Sequence, residues 1–247
     1  MLKFTDVTYH YGDGREALHN VFLEAISGEV LLIVGHNGAG KSTFLKLSNG
    51  ILKPTGGRIV VNGKDSRTET ATELAKEIAV TFQNPRDQIF ASTVEQEISF
   101  GPRILNRKNA QDLAQHAIAL FGFAQERQRH PYDLPLSRQK LLTTACAIAS
   151  GSPILAFDEP SSGLSLPERK TLINGLLEAK ENRLLIIISH DFDLFLPFAS
   201  RVLILNHGTL VRETTAENLI RKEALLRRET LKLPLSLRLY NLLEDIG

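Results

Sequence analysis

The chain has 247 residues, of which 43% are hydrophobic, and its formal net charge is +1 at neutral pH. This size allows one substantial hydrophobic core or two small ones. The near-zero charge gives no electrostatic reason to expect nucleic acid as a partner. The longest apolar runs, such as residues 184–188, are too short to cross a bilayer, and residues 1–7 lack a signal-peptide core. We therefore expect a cytosolic chain.

The first quarter of the chain is predicted to be rich in β-structure. Alternating apolar residues favour strands over residues 1–8 and 21–26, and a continuous apolar run favours a buried strand over residues 30–34. A further strand over residues 58–61 ends at the turn Asn62-Gly63. The strand over residues 30–34 leads directly into a glycine-rich segment.

That glycine-rich segment has the composition of a phosphate-binding loop. Residues 35–42 complete the pattern GxxxxGK[ST] between a strand and a helix that begins at residue 41. Glycines allow successive backbone N–H groups to point at a polyphosphate, and the helix N-terminus adds partial positive charge. In this pattern the lysine reaches the β- and γ-phosphate oxygens and the serine ligates Mg²⁺. The predicted nucleotide-binding residues of the loop are Gly35, His36, Asn37, Gly38, Ala39, Gly40, Lys41, Ser42 and Thr43.

Helices and strands alternate after the loop. A helix is predicted over residues 70–77, and a buried strand over residues 78–82 ends at the polar, proline-containing residues 83–87. Residues 94–148 have a mostly helical pattern, which indicates an inserted helical subdomain. The one cysteine, Cys146, lies in an apolar run and is expected to pack as a small buried residue rather than act as a nucleophile.

The second half of the chain continues the α/β pattern. Strands are predicted over residues 154–157 and 184–189, with a helix over residues 167–180 between them. Such alternation is typical of a parallel sheet covered by helices. Residues 201–212 are predicted to form a terminal hairpin, and a basic, leucine-rich tail follows.

Two adjacent carboxylates, Asp158 and Glu159, follow the strand over residues 154–157. Beside a phosphate loop, Asp158 would hold Mg²⁺ through Ser42 or water, and Glu159 would point at the water that attacks the γ-phosphate. Taken alone, the pair could equally be a solvated strand end. The phosphate loop favours the catalytic interpretation, because the two motifs supply complementary halves of one site.

In order and spacing these motifs resemble those of the ATP-binding-cassette (ABC) ATPases, over nearly the whole chain up to Arg212. The resemblance implies an α/β fold: a P-loop ABC ATPase core with an antiparallel β subdomain and an inserted helical subdomain at about residues 94–150. The nucleotide-binding domain would span residues 1–212. Residues 213–247 would form a C-terminal helical extension.

The same resemblance implies roles for three further side chains. Gln83 matches the Q-loop glutamine, which can reach both the metal and the water, and His190 matches the switch histidine that contacts the γ-phosphate. Tyr11 matches the aromatic residue on which adenine stacks, a contact worth roughly 1–3 kcal/mol. Each also has a plain structural interpretation when taken alone. With ATP and Mg²⁺ as cofactors, the implied catalytic residues are Glu159, His190 and Gln83, and the implied metal ligands are Ser42, Gln83 and Asp158.

Residues 83–102 carry a narrower resemblance, to the energy-coupling-factor (ECF) branch, whose ATPases drive uptake of vitamins and of cobalt or nickel ions. It implies three partners: a second ABC ATPase subunit, in a heterodimer or a homodimer, a membrane coupling subunit and a substrate-binding membrane subunit. The chain would then lie on the cytoplasmic face of the cell membrane as a peripheral protein. Ile89, Phe90 and Val94 would contact the coupling subunit, unless they belong to the core of the helical subdomain. The expected charged rim is Arg86, Asp87, Glu95 and Glu97.

Two segments depart from the family's pattern. Residues 134–140 read Leu-Pro-Leu-Ser-Arg-Gln-Lys where the signature Leu-Ser-Gly-Gly-Gln is expected, and Ser165 occupies the place of the D-loop aspartate. Arg138 or Lys140 could replace the missing donors with charge toward a partner's γ-phosphate. We therefore expect pairing with a related ATPase that has an intact signature. Two alternatives stay open: a soluble ABC-fold ATPase not linked to transport, and a nucleotide-sensing subunit with weak hydrolysis.

Overall fold

The structure is a computed structural model that describes residues 1–215 and Asn218. The predicted C-terminal helical extension lies almost wholly outside the described residues. In chain order the elements are β1 (Leu2–His10), β2 (Glu16–Ala25), β3 (Val30–Val34), α1 (Lys41–Ser48), β4 (Gly56–Val61), β5 (Lys64–Asp65), α2 (Ala71–Ala75), β6 (Ile78–Thr81), α3 (Val94–Ile104), α4 (Ala110–Leu120), α5 (Leu136–Ala149), β7 (Ile154–Asp158), α6 (Leu166–Ala179), β8 (Leu184–Ile188), α7 (Phe192–Phe195), β9 (Arg201–Asn206) and β10 (Thr209–Thr214).

The strands β1, β2, β4 and β5 form one antiparallel sheet, in the order β2-β1-β4-β5. Its inner face packs on α1, where the rings of Phe4 and Phe44 stack with centroids 4.6 Å apart. β2 begins at Glu16, five residues before the predicted strand. The polar residues at the start of β2 lie on its exposed face and hide the apolar alternation. The predicted antiparallel β subdomain is confirmed.

The second sheet has the strand order β10-β9-β3-β8-β7-β6 and is parallel except for its edge strand β10. Every residue of β3, β7 and β8 is buried, because helices of the second half of the chain cover one face of this sheet and α1 together with the antiparallel sheet covers the other. The carboxyl ends of parallel strands meet at one edge of a sheet. The phosphate loop, Asp158-Glu159, His190 and Gln83 therefore all follow strands that end at this edge.

The helical region predicted over residues 94–148 contains α3, α4 and α5, which pack against one another and on the parallel sheet. Cys146 on α5 is half-buried rather than fully buried, because its side of the helix lines a groove. α2 is shorter than predicted and is capped by Thr70 Oγ1, which accepts a hydrogen bond from Glu73 N. None of the helices within residues 1–215 is long and apolar enough to cross a membrane. The domain limits at residues 212 and 213 stay predictions, and β10 continues past them to Thr214.

Candidate nucleotide site

A cleft of about 750 Å³ opens at the carboxyl edge of the parallel sheet. Separate segments of the chain contribute its walls, so the fold brings together side chains that are as much as 179 positions apart. The predicted site residues on its walls are Tyr11, Asn37, Gly38, Gly40, Lys41, Ser42, Thr43, Gln83, Asp158, Glu159 and His190. Gly35, His36 and Ala39 are not on these walls.

Gly35 and Gly40 show why the phosphate loop needs glycine. Gly40 has a φ of 104°, in the left-handed region that disfavours side chains. A Cβ on Gly35 would lie 2.2 Å from Leu205 O, so the loop could not approach β9 as closely. Lys41 crosses the loop, and its Nζ donates to Gly35 O at 2.7 Å and to His36 O at 2.9 Å. Burial lowers the pKa of Lys41, and the nearby Glu159 and Asp158 oppose that shift.

The three loop residues off the cleft wall connect the loop to the β9–β10 hairpin. His36 Nε2 lies 3.0 Å from Asn206 Oδ1, and its ring lies 4.7 Å from that of His207. Gly208 N donates to Ala39 O at 3.0 Å. The His36 side chain and the Ala39 main chain thus hold the loop against the hairpin, and the contact of these residues with nucleotide stays a prediction.

Asp158 and Ser42 form an oxygen-rich pair on the cleft wall. Ser42 Oγ donates to Asp158 Oδ2 at 3.1 Å. Burial raises the pKa of Asp158, and the Ser42 hydrogen bond and the Lys41 charge oppose the rise. Carboxylate and hydroxyl oxygens are ligands that Mg²⁺ accepts in proteins. The pair therefore fits the predicted magnesium site.

Glu159 presents its carboxylate at the same wall from a left-handed backbone, with a φ of 50°. Its Oε2 accepts from Ser189 Oγ at 3.2 Å and from His190 N at 3.5 Å. Its Oε1 is buried without a hydrogen-bond donor, although His190 Nε2 lies 3.6 Å away. Burial raises the pKa of Glu159, and His190 opposes the rise. A buried acceptor without a donor suits a site whose remaining donor comes from a bound molecule or water.

Tyr11 and Gln83 both line the cleft. The Tyr11 hydroxyl lies 3.0 Å from Thr43 Oγ1, which ties the ring to α1. The guanidinium carbon of Arg15 lies 4.8 Å from the Tyr11 ring centroid, in the range of a cation–π contact. Gln83 is exposed on the wall. No motif in the sequence pointed to Arg15 or to the further wall residues Glu16, Ala17 and Ser162.

The structure contradicts the expectation that Arg138 or Lys140 points toward a partner subunit. Arg138 donates to the main-chain oxygens of Phe121 and Gly122, both at 3.1 Å, and pairs with Glu126. Lys140 is buried and turns toward the nucleotide site of its own chain. The two side chains leave α5 on different sides, and both sides of this largely buried helix pack against the rest of the chain.

The predicted docking segment is also corrected in part. Ile89 and Val94 are 4% and 0% exposed and belong to the hydrophobic core, whereas Phe90 is 62% exposed. Glu97 is buried, and its Oε2 accepts from Phe90 N at 3.0 Å and from Ala91 N at 2.7 Å. The core interpretation is therefore right for two of the three apolar residues, and Glu97 is not part of a charged rim.

Phe90 instead stands beside a mostly apolar groove of about 400 Å³ between the helical subdomain and the strand β6. Its ring meets that of Phe100 edge-on, with centroids 4.6 Å apart. We call this cavity the apolar groove; its wall includes Ile51, Phe82, Phe90, Phe100, Ile104 and Cys146.

A family model described as "ABC transporter" matches residues 18–162. The chain belongs to the ABC transporter family. The ATP-binding protein EcfA of the energy-coupling factor transporter of Methanothermobacter thermautotrophicus is 33% identical over the whole of this chain and 81% of that protein. EcfA2 of Staphylococcus epidermidis is 30% identical over 98% of this chain and 90% of that protein.

The fold comparison agrees with the family. The structure of cbiO1 from Clostridium perfringens, described as part of the ABC transporter complex cbiONQ, superposes with a TM-score of 0.79 at 28% identity. The match covers 97% of this chain and 98% of that chain. The protein is an ATP-binding ATPase of the ABC type, and the predicted family, fold class and enzyme class are confirmed.

Proposed function

We propose that this chain is the ATP-hydrolysing subunit of an ECF-type importer and couples ATP-driven dimer closure to uptake of a vitamin or a transition-metal ion. It would act as a peripheral protein on the cytoplasmic face of the cell membrane. The names of the relatives support the transporter class. The observation that carries the catalytic part is the cleft in which Lys41, Asp158 and Glu159 face one another. The non-transport alternative gains no support from these relatives.

Hydrolysis at this site would consist of positioning and charge stabilisation, without a covalent protein intermediate. Lys41 and the amides of the phosphate loop would hold the β- and γ-phosphates. Ser42, Asp158 and Gln83 would hold Mg²⁺, which when bound neutralises negative charge on the phosphate oxygens. Glu159 would orient the attacking water and accept its proton at the carboxylate.

His190 supports this arrangement from the end of β8. Its backbone N–H donates to Glu159 Oε2, and its ring nitrogen Nε2 lies 3.6 Å from Oε1. Through these contacts it would keep the carboxylate directed into the cleft while the ring contacts the γ-phosphate.

Equilibrium dialysis of the purified chain with labelled ATP and Mg²⁺ tests the binding site. Lys41→Ala is expected to abolish retention, because the lysine's charge and donors are lost. Lys108→Ala removes an exposed lysine outside the cleft and is the matched control. Equal retention by the Lys41→Ala variant would overturn the proposal.

A second ATPase subunit would complete the site from outside the chain. α5 begins at Leu136 after Pro135 and has no side-chain cap. Arg138 is held within its own subunit, and the leucines at the starts of α5 and α6, Leu136 and Leu166, are 53% and 82% exposed. At the start of α5 the chain therefore presents a leucine side chain, where the paired glycines of an intact signature would present backbone N–H donors to the partner's γ-phosphate. We therefore keep the hypothesis of a partner with an intact signature.

The altered signature also favours one second candidate, a nucleotide-sensing subunit with weak hydrolysis. Single-turnover measurement of phosphate release separates the two. Phosphate release in a single turnover, at a rate comparable to that of other ABC ATPases, supports transport coupling. ATP that stays bound and is cleaved slowly supports nucleotide sensing.

The apolar groove would receive the membrane coupling subunit. Phe90, Phe100 and Ile104 are exposed large hydrophobic residues that stand together at its mouth. Phe90→Asp is expected to abolish association with membranes that contain the coupling subunit, because burial of a carboxylate in an apolar contact is unfavourable. Phe22→Asp is the matched control, since Phe22 is similarly exposed but lies on β2. Unchanged membrane association of the Phe90→Asp variant would remove the docking hypothesis.

A further inference from the structure

Lys140 is a buried cation that the phosphate-loop chemistry does not use. It lies on α5 and is only 9% exposed. Its Nζ donates to the main-chain oxygen of Glu159 at 3.2 Å. A buried ammonium group is stable only when it is paired or hydrogen-bonded. The charges that act on it are the carboxylates Glu159 and Asp158.

Lys140 does not line the nucleotide cleft. It lies on the wall of an adjacent cavity of about 620 Å³, on the side of Asp158 that faces α5 and the segment after β6. Lys41, in contrast, is on the wall of the nucleotide cleft. The adjacent cavity shares Ser42, Gln83 and Asp158 with the nucleotide cleft. The two lysines therefore approach the carboxylate pair from neighbouring cavities, and Lys41 is the one that belongs to the phosphate loop.

The atom that Lys140 contacts belongs to an unusual backbone. Glu159 has a φ of 50°, and residues other than glycine adopt this left-handed conformation only when the surrounding structure holds them there. Glu159 N donates to Ile188 O at 2.9 Å, and Ser162 N donates to Glu159 O at 3.3 Å. Lys140 supplies the charged donor to the same oxygen, and charge-assisted hydrogen bonds are the stronger ones.

We propose that Lys140 is a positioning residue for ATP hydrolysis: it fixes the left-handed backbone of Glu159 and thereby directs the Glu159 carboxylate into the nucleotide cleft. The inference rests on the proposed function, since it takes Glu159 as the group that acts on the attacking water. It replaces the expectation that Lys140 donates to a partner's phosphate.

Single-turnover phosphate release and ATP retention, measured on the full chain in its natively purified complex, test this role. Lys140→Met keeps the apolar stem as far as the Cε position but removes the donor and the charge. Its rate of phosphate release is expected to fall about 10–100-fold, because a small misplacement of a catalytic group is costly. ATP retention should stay within about twofold, since the phosphate loop is untouched. Lys140→Arg keeps the charge and donors and should restore most of the rate.

Lys46→Met is the matched control, because Lys46 lies in the same adjacent cavity but has no hydrogen bond to Glu159. It should leave the rate of phosphate release near that of the wild type. An equal loss in the Lys46→Met variant would show a general effect of charge and overturn the positioning role. Joint loss of ATP retention and melting temperature in the Lys140→Met variant would likewise indicate a merely structural lysine.

Lys140→Gln provides a second variant if Lys140→Met does not fold. It is uncharged and one atom shorter, so it loses the contact and should show the same loss of rate. A normal rate in either folded variant overturns the inference. Absence of phosphate release by the wild-type complex would instead reject the proposed function, so the two failures are distinguishable.

Discussion

Glu159 combines a left-handed backbone, a buried carboxylate and an oxygen without a donor in a single residue. A strained backbone of this kind costs about 1–3 kcal/mol, persists only where the surrounding structure holds it, and is found most often at functional sites. Five other residues besides glycine have a positive φ among residues 1–215, and none of them lines the nucleotide cleft: Asp6, Asn20, Asn62, Asn106 and His207.

Glu159→Gln is expected to lower turnover by about 10²–10⁴-fold, the usual contribution of a positioned general base. It should also raise the melting temperature of the nucleotide-free protein. Burial raises the pKa of Glu159. The stability contribution of the protonated group is therefore fully present below the ordinary carboxyl pKa and is lost as the pH rises through the folded-state value. Glutamine is neutral at every pH, so the variant keeps this stability as the pH rises.

Thermal melting of both proteins at pH 5 and pH 8 checks this sign. The variant's advantage should be larger at pH 8, where wild-type Glu159 is ionised. Glu24→Gln, at an exposed position on β2, is the control and should show no such difference. An advantage that shrinks toward pH 8 would contradict the assigned direction of the pKa shift.

At this scale the sequence predicted which side chains share the cleft, because the motif residues follow strands that end at one sheet edge. It did not predict the direction of Arg138 or Lys140. Their directions depend on what packs around α5, which is buried on several sides, and the sequence pattern does not show those neighbours. It also misassigned Ile89 and Val94, since apolar residues have the same pattern in a core and in an interface.

The carboxylate of Glu168 accepts hydrogen bonds from residues at the starts of both α5 and α6. Glu168 Oε2 accepts from Ser165 N at 2.8 Å and from Ser165 Oγ at 2.7 Å, which forms a capping box, and Oε1 accepts from Ser137 Oγ at 2.7 Å. Burial raises the pKa of Glu168, but the hydrogen bonds from the two serines outweigh it and hold that pKa below its usual value. Both segments that depart from the family pattern are thus held by the same side chain.

Glu168→Ala is expected to destabilise the protein by about 0.5–2 kcal/mol, the range found for lost helix caps. The stabilising contribution of Glu168 is present above the ordinary carboxyl pKa and is lost as the pH falls through the folded-state value. Urea denaturation at pH 7 and pH 4 measures both effects. Glu181→Ala, at an exposed position after α6, is the control. An equal loss in both variants would argue against the joining role.

The strands were the most predictable elements, since β3, β7 and β8 are continuous apolar runs with no polar face to disguise them. The start of β2 was missed because its outward residues are polar. α2 stops at Ala75, two residues before the predicted end, and turns into β6. Element ends depend on such local turns, which periodicity does not detect.

In the molecule as a whole, the nucleotide cleft and the apolar groove meet at two neighbouring residues. Phe82 lines the groove and Gln83 lines the cleft. Gln88 braces this junction: its Oε1 accepts from Phe82 N and its Nε2 donates to Val80 O, both at 2.8 Å. A change of position at Gln83 would therefore reach the groove through a single peptide unit, as the proposed coupling of ATP hydrolysis to transport requires.

The exposed leucines at the starts of α5 and α6, Leu136 and Leu166, lead to a prediction about assembly. One chain has a mass of 27.4 kDa. Without another subunit, the protein should stay a monomer of this mass in saturating ATP and Mg²⁺, and so should its Glu159→Gln variant. The reason is that a second copy would bring another signature without paired glycines. Light scattering measures this mass. A value near twice 27.4 kDa for the chain alone would contradict the need for a different partner.

Cys146 gives the molecule an intrinsic chemical reporter. It is the only cysteine in the chain and stands half-buried on the wall of the apolar groove. Burial raises the pKa of its thiol, so alkylation of the free protein is slow and its rate is sensitive to any further shielding. The alkylation rate therefore gives a direct readout of groove occupancy, without an engineered label, in native membranes as well as in purified samples.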